Sequence, residues 1–318
     1  MNVKKAVITA AARGGRLYPV SDTVQKAMLP IVDTDGINKP IIQIIAEEAI
    51  ASGIEEIGII CAPGDEKRYI ENFNQLRNTL LTVFKHNGWA IKQANAIKDL
   101  LERLTFCVQE ESLGYGHAVY QARNFVNNEP FLLLFGDYLY VSDMVGKRCA
   151  QQLIELARLE ECSVSAVNPT LEHLISRYGT LTGKALVNYQ GVYQVDWLIE
   201  KPSVSQAELE LQTPGLRAGY YLCFFGMHVF TPIIFDLLEE KIKAHSASKG
   251  SILLTPILQE LSGLEKYLAL EIKGNRYDTS KMLGMIQAQI ALGLAGTIKD
   301  ELMSSIIQIM AETEKRKF

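Results

Sequence analysis

The stretch from residue 7 to residue 33 constrains this chain most, because it begins as a β-strand and then abruptly changes character. Val7, Ile8 and Thr9 are strand formers. The Ala-Ala-Ala-Arg-Gly-Gly sequence that follows is too small and too rich in glycine to stay extended or to continue as a helix. A tight loop after a buried strand lets backbone N–H groups approach an anion closely. The stretch therefore predicts a triphosphate-binding loop.

Two basic residues near this loop, Arg16 and Lys26, are candidates for charge-assisted contacts with phosphate oxygens. Neither of two familiar phosphate motifs is present, because the chain has no GxGxxG after its first strand and no GxxxxGK[ST] anywhere. The missing glycine fingerprint also argues against an NAD-dependent oxidoreductase. A basic loop taken alone is more often a solvated surface loop, so the prediction depends on matches further along the chain.

The rest of the chain alternates strand-like and helix-like segments. Helical periodicity covers 40–52, 66–103 with a break at 86–88, 142–160 and two segments within 232–263, and a last helix begins near 299. Strand patterns cover 55–61, 104–109, 130–136, 163–167, 189–199 and 267–272. This order predicts an α/β protein with a Rossmann-like, mostly parallel mixed sheet flanked by helices.

Two aspartates occupy positions that suit magnesium-dependent phosphoryl chemistry. Asp137 ends a continuous apolar run, and Asp278 follows the last predicted strand. Open α/β sheets bind ligands at the carboxyl ends of their strands, and Mg²⁺ needs one or two carboxylates plus phosphate oxygens. A lone aspartate after a strand is more often a turn or helix cap, so each needs independent support.

Composition limits the function classes. The chain has 318 residues, a net charge of −4 and a pI near 5.8, which give no electrostatic reason to expect nucleic acid or an anionic membrane as partner. Its apolar runs fall short of the ~18 residues that span a bilayer. The five cysteines form no CxxC pair, so we expect reduced thiols in the cytoplasm.

Residues 11 to 33 resemble the signature loop of the sugar-phosphate nucleotidyltransferases, in particular the bacterial UTP:glucose-1-phosphate uridylyltransferases, or UDP-glucose pyrophosphorylases. The family pattern is A-G-x-G-T-R-x-x-P followed by P-K-x-M-L-P-x-x-D. This chain matches it at Arg16, Pro19, Lys26, Met28, Leu29, Pro30 and Asp33. It differs at Ala12, Gly15 and Gln25, where the family has glycine, threonine and proline.

Three later segments extend the resemblance. Residues 108–119 are similar to R-Q-x-x-x-x-G-L-G-H-A-V, residues 177–179 and 200–202 to the sugar-binding YG and EKP elements, and residues 278–288 to D-x-G-x-K-L-G-Y-x-Q-A. The resemblance implies a site of four parts. The catalytic residues are Arg16, Lys26 and Lys201; the nucleotide-binding residues are Ala11, Ala12, Gly14, Gly15, Gln109 and Gly114; the sugar-binding residues are Gly179, Glu200, Lys201 and Gly219; the metal ligands are Asp137 and Asp278.

The resemblance also implies a nucleotide-diphospho-sugar transferase fold with a small β lobe for the sugar at about 170–230. We expect one domain over 1–318, with a helical insertion at 66–103 and C-terminal helices from about 280. The implied activity joins UTP and glucose 1-phosphate, with Mg²⁺ as cofactor, in a homo-oligomer, either a dimer or a tetramer. Two alternatives stay open: another sugar 1-phosphate or nucleotide, and a catalytically weak regulatory paralogue.

Overall fold

The structure, a computed structural model, describes residues 1–12, 15–19, 23–245 and 250–315. Its strands are β1 Lys5–Thr9, β2 Pro30–Val32, β3 Asn38–Pro40, β4 Glu56–Cys61, β5 Leu104–Val108, β6 Phe131–Phe135, β7 Tyr138–Ser142, β8 Ser163–Leu171, β9 Gly179–Ala185, β10 Val192–Glu200, β11 Tyr220–Phe230, β12 Tyr267–Glu271 and β13 Gly274–Asp278. Its α-helices are α1 Ile41–Ala51, α2 Asp65–Val83, α3 Gly88–Arg103, α4 Tyr115–Tyr120, α5 Arg123–Val126, α6 Cys149–Glu160, α7 Val204–Glu210, α8 Ile233–His245, α9 Thr255–Leu264, α10 Met282–Ala295 and α11 Lys299–Lys315.

A mixed sheet dominates the described part of the chain, with the strand order β5-β4-β1-β6-β11-β8-β12-β10-β9. Strands β10 and β11 run antiparallel to their neighbours, and the other strands of the sheet share one direction. The predicted mostly parallel α/β fold is thus confirmed. The proposed sugar lobe, which includes β9, β10 and β11, continues this same sheet.

Apolar side chains on both faces of the central strands bury the sheet. In β1, Ala6 and Ile8 pack into one hydrophobic cluster, and Val7 packs into the cluster on the opposite face. Leu132 and Leu133 of β6 divide between the two faces in the same way. This alternation follows the period of two of a β-strand, and burying each large aliphatic side chain stabilises the fold by about 1.5–3 kcal/mol.

Most of the predicted elements lie within a few residues of the observed ones. The break predicted at 86–88 separates α2 from α3, as expected from its glycine and asparagine. The helix predicted over 142–160 is wrong in its first part, because α6 begins at Cys149. Ser142 instead ends β7, which pairs with β13 through backbone hydrogen bonds that local periodicity does not reveal, and residues 143–148 connect β7 to α6.

After β13 the described part of the chain forms α10 and α11. In the described parts of the chain, no helix is both long and apolar enough to cross a membrane. The organisation of 1–318 as one domain stays a prediction.

Candidate active site

A cleft of about 990 Å³ opens where several strands of the main sheet reach their carboxyl ends. Thr9 ends β1 and Phe135 ends β6, and both line this cleft. Ten of the predicted site residues, distant in sequence, line it together: Ala11, Ala12, Arg16, Gln109, Gly114, Asp137, Gly179, Glu200, Lys201 and Asp278. The fold therefore assembles most of the predicted site in one place.

The remaining predicted residues lie elsewhere. Lys26 is not part of the cleft lining, but its ammonium forms an ion pair with the Asp137 carboxylate. Gly15 begins a short 3-10 turn with Arg16 and does not line the cleft. Gly219 also lies outside the lining, in a left-handed conformation with φ of +78°. Gly14 falls outside the described residues.

Contacts from Thr279, Thr9 and Lys26 position Asp137 and the backbone beside it, just after the end of β6. Thr279 donates to the Asp137 carbonyl oxygen through its backbone N–H at 2.8 Å and its hydroxyl at 2.7 Å. Just before it, the N–H of Gly136 donates to Thr9 O at 3.1 Å, and a Cβ at residue 136 would lie 2.2 Å from the same oxygen. These bonds fix the backbone while the carboxylate faces the cleft and contacts Lys26.

Asp278 ends β13, and the register of β13 with β7 places it opposite Tyr138, the residue after Asp137. Ser280 donates to Asp278 Oδ1 through its hydroxyl and, at 3.0 Å, through its backbone N–H. The Lys281 ammonium lies 2.9 Å from Asp278 Oδ2. Burial opposes the charged carboxylate, but the bonds from Ser280 and Lys281 outweigh burial and lower the pKa of Asp278. The carboxylate is therefore ionised at neutral pH.

The two carboxylates fit a hard divalent cation. Both carboxylates line the same cleft. The pairing of β7 with β13 keeps their backbones close together, because Asp278 is paired with Tyr138, which follows Asp137. Carboxylate oxygens are the ligands that Mg²⁺ takes from proteins, with phosphate oxygens and water completing the octahedron. The volume beside them leaves room for such groups.

Gln109 and Gly114 form one end of the cleft. The Gln109 backbone N–H donates to Cys61 O at 2.9 Å, and its side-chain amide nitrogen lies 3.1 Å from His117 Nδ1. Gly114 has φ of +114°, and a Cβ there would lie 2.7 Å from both N and O of Ile252. Glycine is needed at this position because the backbone of Ile252 occupies the space that a Cβ would fill.

Gly179, Glu200 and Lys201 form a second part of the cleft lining. In the register of β9 with β10, Gly179 is paired with Glu200. A Cβ at residue 179 would lie 2.6 Å from Phe224 Cδ2. Thr255 donates its hydroxyl proton to Glu200 Oε2 at 2.5 Å, and Lys201 Nζ lies 3.0 Å from Glu200 Oε1.

Sequence reasoning missed several residues of the cleft. Lys281, Thr255 and His228 line it, as does Tyr115 in the segment after Gln109. For Thr255 and Lys281 a signal existed, since both lie inside segments that resemble family motifs. His228 carried no local signal, because β11 brings it to the cleft from a continuous apolar run.

His228 is almost fully buried among aromatic rings, including Phe224 and Phe230. Its Nδ1 lies 2.5 Å from Ser165 Oγ, which also bonds the Tyr267 hydroxyl. Burial lowers the pKa of His228 to about 3. The imidazole is therefore neutral at physiological pH and forms part of an uncharged wall of the cleft.

Comparison with known proteins gives three similarities, each of which covers most of the chain. Residues 5–279 match the family described as Nucleotidyl transferase. The chain is 34% identical to UTP--glucose-1-phosphate uridylyltransferase 1 of Streptococcus pyogenes serotype M3, with 99% of this chain and 97% of the relative covered. It is also 34% identical to the UTP--glucose-1-phosphate uridylyltransferase of Streptococcus pneumoniae serotype 4, with 98% of each chain covered.

Solved structures show the same similarity in three dimensions. A UDP-glucose pyrophosphorylase complexed with UDP-glucose superposes with a TM-score of 0.72 at 28% identity, covering 91% of this chain and 98% of the other. The UTP-bound enzyme from Acinetobacter baumannii superposes with a TM-score of 0.76 at 25% identity, covering 96% and 99%.

Proposed function

The chain belongs to the nucleotidyl transferase family, and we propose that it joins UTP and glucose 1-phosphate to give UDP-glucose and pyrophosphate. One observation carries this proposal: a single cleft is lined by two aspartates, four cationic side chains and two glycines, namely Asp137, Asp278, Arg16, Arg177, Lys201, Lys281, Gly114 and Gly179. The relatives named for this reaction cover nearly the whole chain. The cleft supports a reaction between two phosphorylated substrates that bind side by side.

The nucleotide occupies the end formed by the opening loop, Gln109 and Gly114. The Gln109 amide carries both a donor and an acceptor, which suits the edge of uracil. Gly114 lines the same part of the cleft, and its lack of a side chain lets the Ile252 backbone pack against it. The loop residues Ala11 and Ala12 line this part of the cleft, and their backbone N–H groups suit the oxygens of a triphosphate.

The sugar 1-phosphate occupies the end formed by β9 and β10. Glu200 accepts hydrogen bonds from sugar hydroxyls, and its bond from Thr255 holds it in place. Gly179 lines this part of the cleft, where a larger side chain would collide with Phe224. Lys201 binds the 1-phosphate as a point charge.

Asp137 and Asp278 would hold Mg²⁺, which would neutralise charge on the α-phosphate when bound. Lys201 orients an oxygen of the sugar phosphate for in-line attack on the α-phosphorus. A new oxygen–phosphorus bond forms as the bond to the β-phosphate breaks, and Arg16 and Lys26 stabilise the charge that develops on pyrophosphate. No covalent bond to the protein forms.

The proposal is tested by pyrophosphate release in the presence of Mg²⁺, with each of the four ribonucleoside triphosphates against a panel of sugar 1-phosphates. Turnover confined to UTP with glucose 1-phosphate supports the proposal. Preferred turnover with another pair would assign the site to a different sugar nucleotide. Tight UTP binding without any turnover would instead indicate a regulatory paralogue.

We further propose that the chain acts as a homo-oligomer, a dimer or a tetramer, in the cytoplasm. The five cysteines are free and buried, as expected in a reducing compartment. Apolar side chains are exposed on α10 and α11, where they suit a subunit interface: Met282, Leu283, Ile286, Ile290, Met303, Ile307, Ile309 and Met310.

Light scattering after size exclusion measures the number of subunits. If α11 forms the interface, Ile307→Glu should dissociate the assembly into monomers. Leu209→Glu is the matched control, since Leu209 is also exposed but lies on α7. A monomeric wild type would refute the oligomer.

A further inference from the structure

Each proposed metal ligand has a lysine partner. Lys26 contacts the carboxylate of Asp137, and Lys281 contacts that of Asp278. The two lysines differ in their surroundings, because the Lys26 side chain is 6% exposed and that of Lys281 is 39% exposed. Lys26 is thus fixed in the interior, whereas the Lys281 stem has room to turn within the cleft.

The Lys281 ammonium is not needed to shape the turn that holds Asp278. The Ser280 N–H and hydroxyl already bind Asp278 Oδ1, and Thr279 ties the turn to the Asp137 backbone. Gly284 packs directly against the Asp278 carbonyl, where a Cβ would lie 1.9 Å from the oxygen. A partly exposed ion pair adds about 0–1 kcal/mol to stability. The lysine is therefore free for another role.

Lys281 lies beside the part of the cleft that carries Arg16. The Arg16 guanidinium lies 3.5 Å from Ser280 Oγ, the residue directly before Lys281, and both cations line the cleft. Lys201 stands at the sugar end, paired with Glu200. The cleft lining thus carries Arg16 and Lys281 beside each other, and two further cations, Arg177 and Lys201, in the segments of the proposed sugar site.

The sequence places this lysine differently from the family motif quoted above. In D-x-G-x-K the lysine follows the aspartate by four residues, whereas here Lys281 follows Asp278 by three and Met282 takes the motif position. The Met282 side chain is 76% exposed and does not line the cleft. The cation that reaches the site in this chain is therefore Lys281.

We infer that Lys281 is a triphosphate-binding residue of this chain, which turns from Asp278 to a phosphate oxygen of the nucleotide. The inference rests on the proposed function for the identity of the nucleotide. When a cation occupies the Asp278 carboxylate, the ammonium loses its partner but stays within reach of the same end of the cleft. Its three N–H donors then suit nonbridging phosphate oxygens.

The test compares wild type, Lys281→Met and Lys281→Arg by calorimetric UTP binding with Mg²⁺, by the KM values for UTP and glucose 1-phosphate, and by thermal unfolding. Lys281→Met should weaken UTP binding and raise the KM for UTP by about tenfold, because one charge-assisted hydrogen bond is lost. The KM for glucose 1-phosphate and the Tm should stay near their wild-type values. Lys281→Arg should restore most of the UTP affinity.

The control is Lys98→Met, which removes a lysine from an exposed ion pair with Glu102 on α3, outside the cleft. UTP affinity of Lys281→Met within twofold of wild type would overturn the inference, as would an equal loss for both substrates. A wild type that binds UTP without turnover would refute the proposed reaction while leaving the binding comparison for Lys281 intact.

Discussion

The Lys26 ammonium contacts the Asp137 carboxylate across 111 positions of sequence. The lysine comes from the segment after the opening loop, and the aspartate comes from the end of β6. Because Lys26 is nearly buried, this pair couples the position of the opening segment to the proposed metal site. The positive charge of Lys26 also balances the negative charge of the Asp137 carboxylate, which faces the cleft.

This pair should be energetically coupled. In a double-mutant cycle with Lys26→Met and Asp137→Asn, measured by denaturant unfolding without metal, we expect a coupling of about 1–3 kcal/mol. Asp137→Asn should be the more destabilising single change, because it leaves a buried ammonium without its charge partner. The exposed Lys98–Glu102 pair is the control and should show coupling near zero. If the losses of unfolding free energy in the two single variants simply add up in the double variant, the account is contradicted.

Removal of divalent metal should stop turnover. Treatment with EDTA should abolish pyrophosphate release, and added Mg²⁺ should restore it, because the α-phosphate charge is otherwise unbalanced. Asp278→Asn should raise the Mg²⁺ concentration for half-maximal rate by about tenfold or more, since it removes one charged ligand. An unchanged magnesium requirement in this variant would refute the role of Asp278.

Glycine at residue 114 should be indispensable to the nucleotide end. Gly114→Ala puts a Cβ 2.7 Å from the Ile252 backbone at a φ of +114°, so the loop must shift. We expect a loss of about 1–3 kcal/mol in unfolding free energy and weaker UTP binding. Gly88→Ala is the matched control, because a Cβ there meets nothing within 4 Å. Equal behaviour of the two variants would contradict this assignment.

His228 should make stability depend on pH on the acidic side. Burial lowers the pKa of His228 to about 3, whereas an unfolded histidine titrates near 6.5. Between these values the unfolded chain binds a proton that the folded chain does not. His228 alone should therefore lower the unfolding free energy by about 1.4 kcal/mol for each unit that pH falls from about 6.5 toward 3.

The contribution is isolated by comparison with His228→Gln, which has no titrating ring. Denaturant unfolding at pH 7, 6 and 5 should show a steeper loss of stability in wild type than in the variant. Parallel losses would mean that the folded chain accepts the proton at His228 and that the ring is less well buried than the structure indicates.

The sequence predicts some of the strands and helices around the site, because local periodicity sets them, but it does not predict β7, β11 or β13. Residues 130–135 are continuously apolar, as expected for a buried central strand, and form β6 nearly as predicted. Motif resemblance singles out Asp137, Asp278 and Glu200 one at a time. The contacts that support these residues cannot be predicted from local sequence patterns, because they come from distant segments. Thr279 donates a hydrogen bond to the Asp137 backbone, and Thr255 donates one to Glu200.

The structural features that the sequence does not predict have similar physical causes. Strand β7 is not evident in the sequence because its partner β13 lies more than a hundred residues later. The motif does not indicate Lys281, because its lysine position corresponds to Met282, one residue further along the chain. His228 lies in an apolar strand, where histidine is usually a core residue, and only the folded sheet brings it to the cleft.

The central claim is tested most directly by the amount of UDP-glucose that wild type and Asp137→Ala form from UTP and glucose 1-phosphate with Mg²⁺. Wild type should form UDP-glucose in equal amount to pyrophosphate. Asp137→Ala, shown to be folded by circular dichroism, should form none above background, because it lacks a metal ligand. Absence of UDP-glucose with wild type, or near-normal formation by Asp137→Ala, would contradict the account.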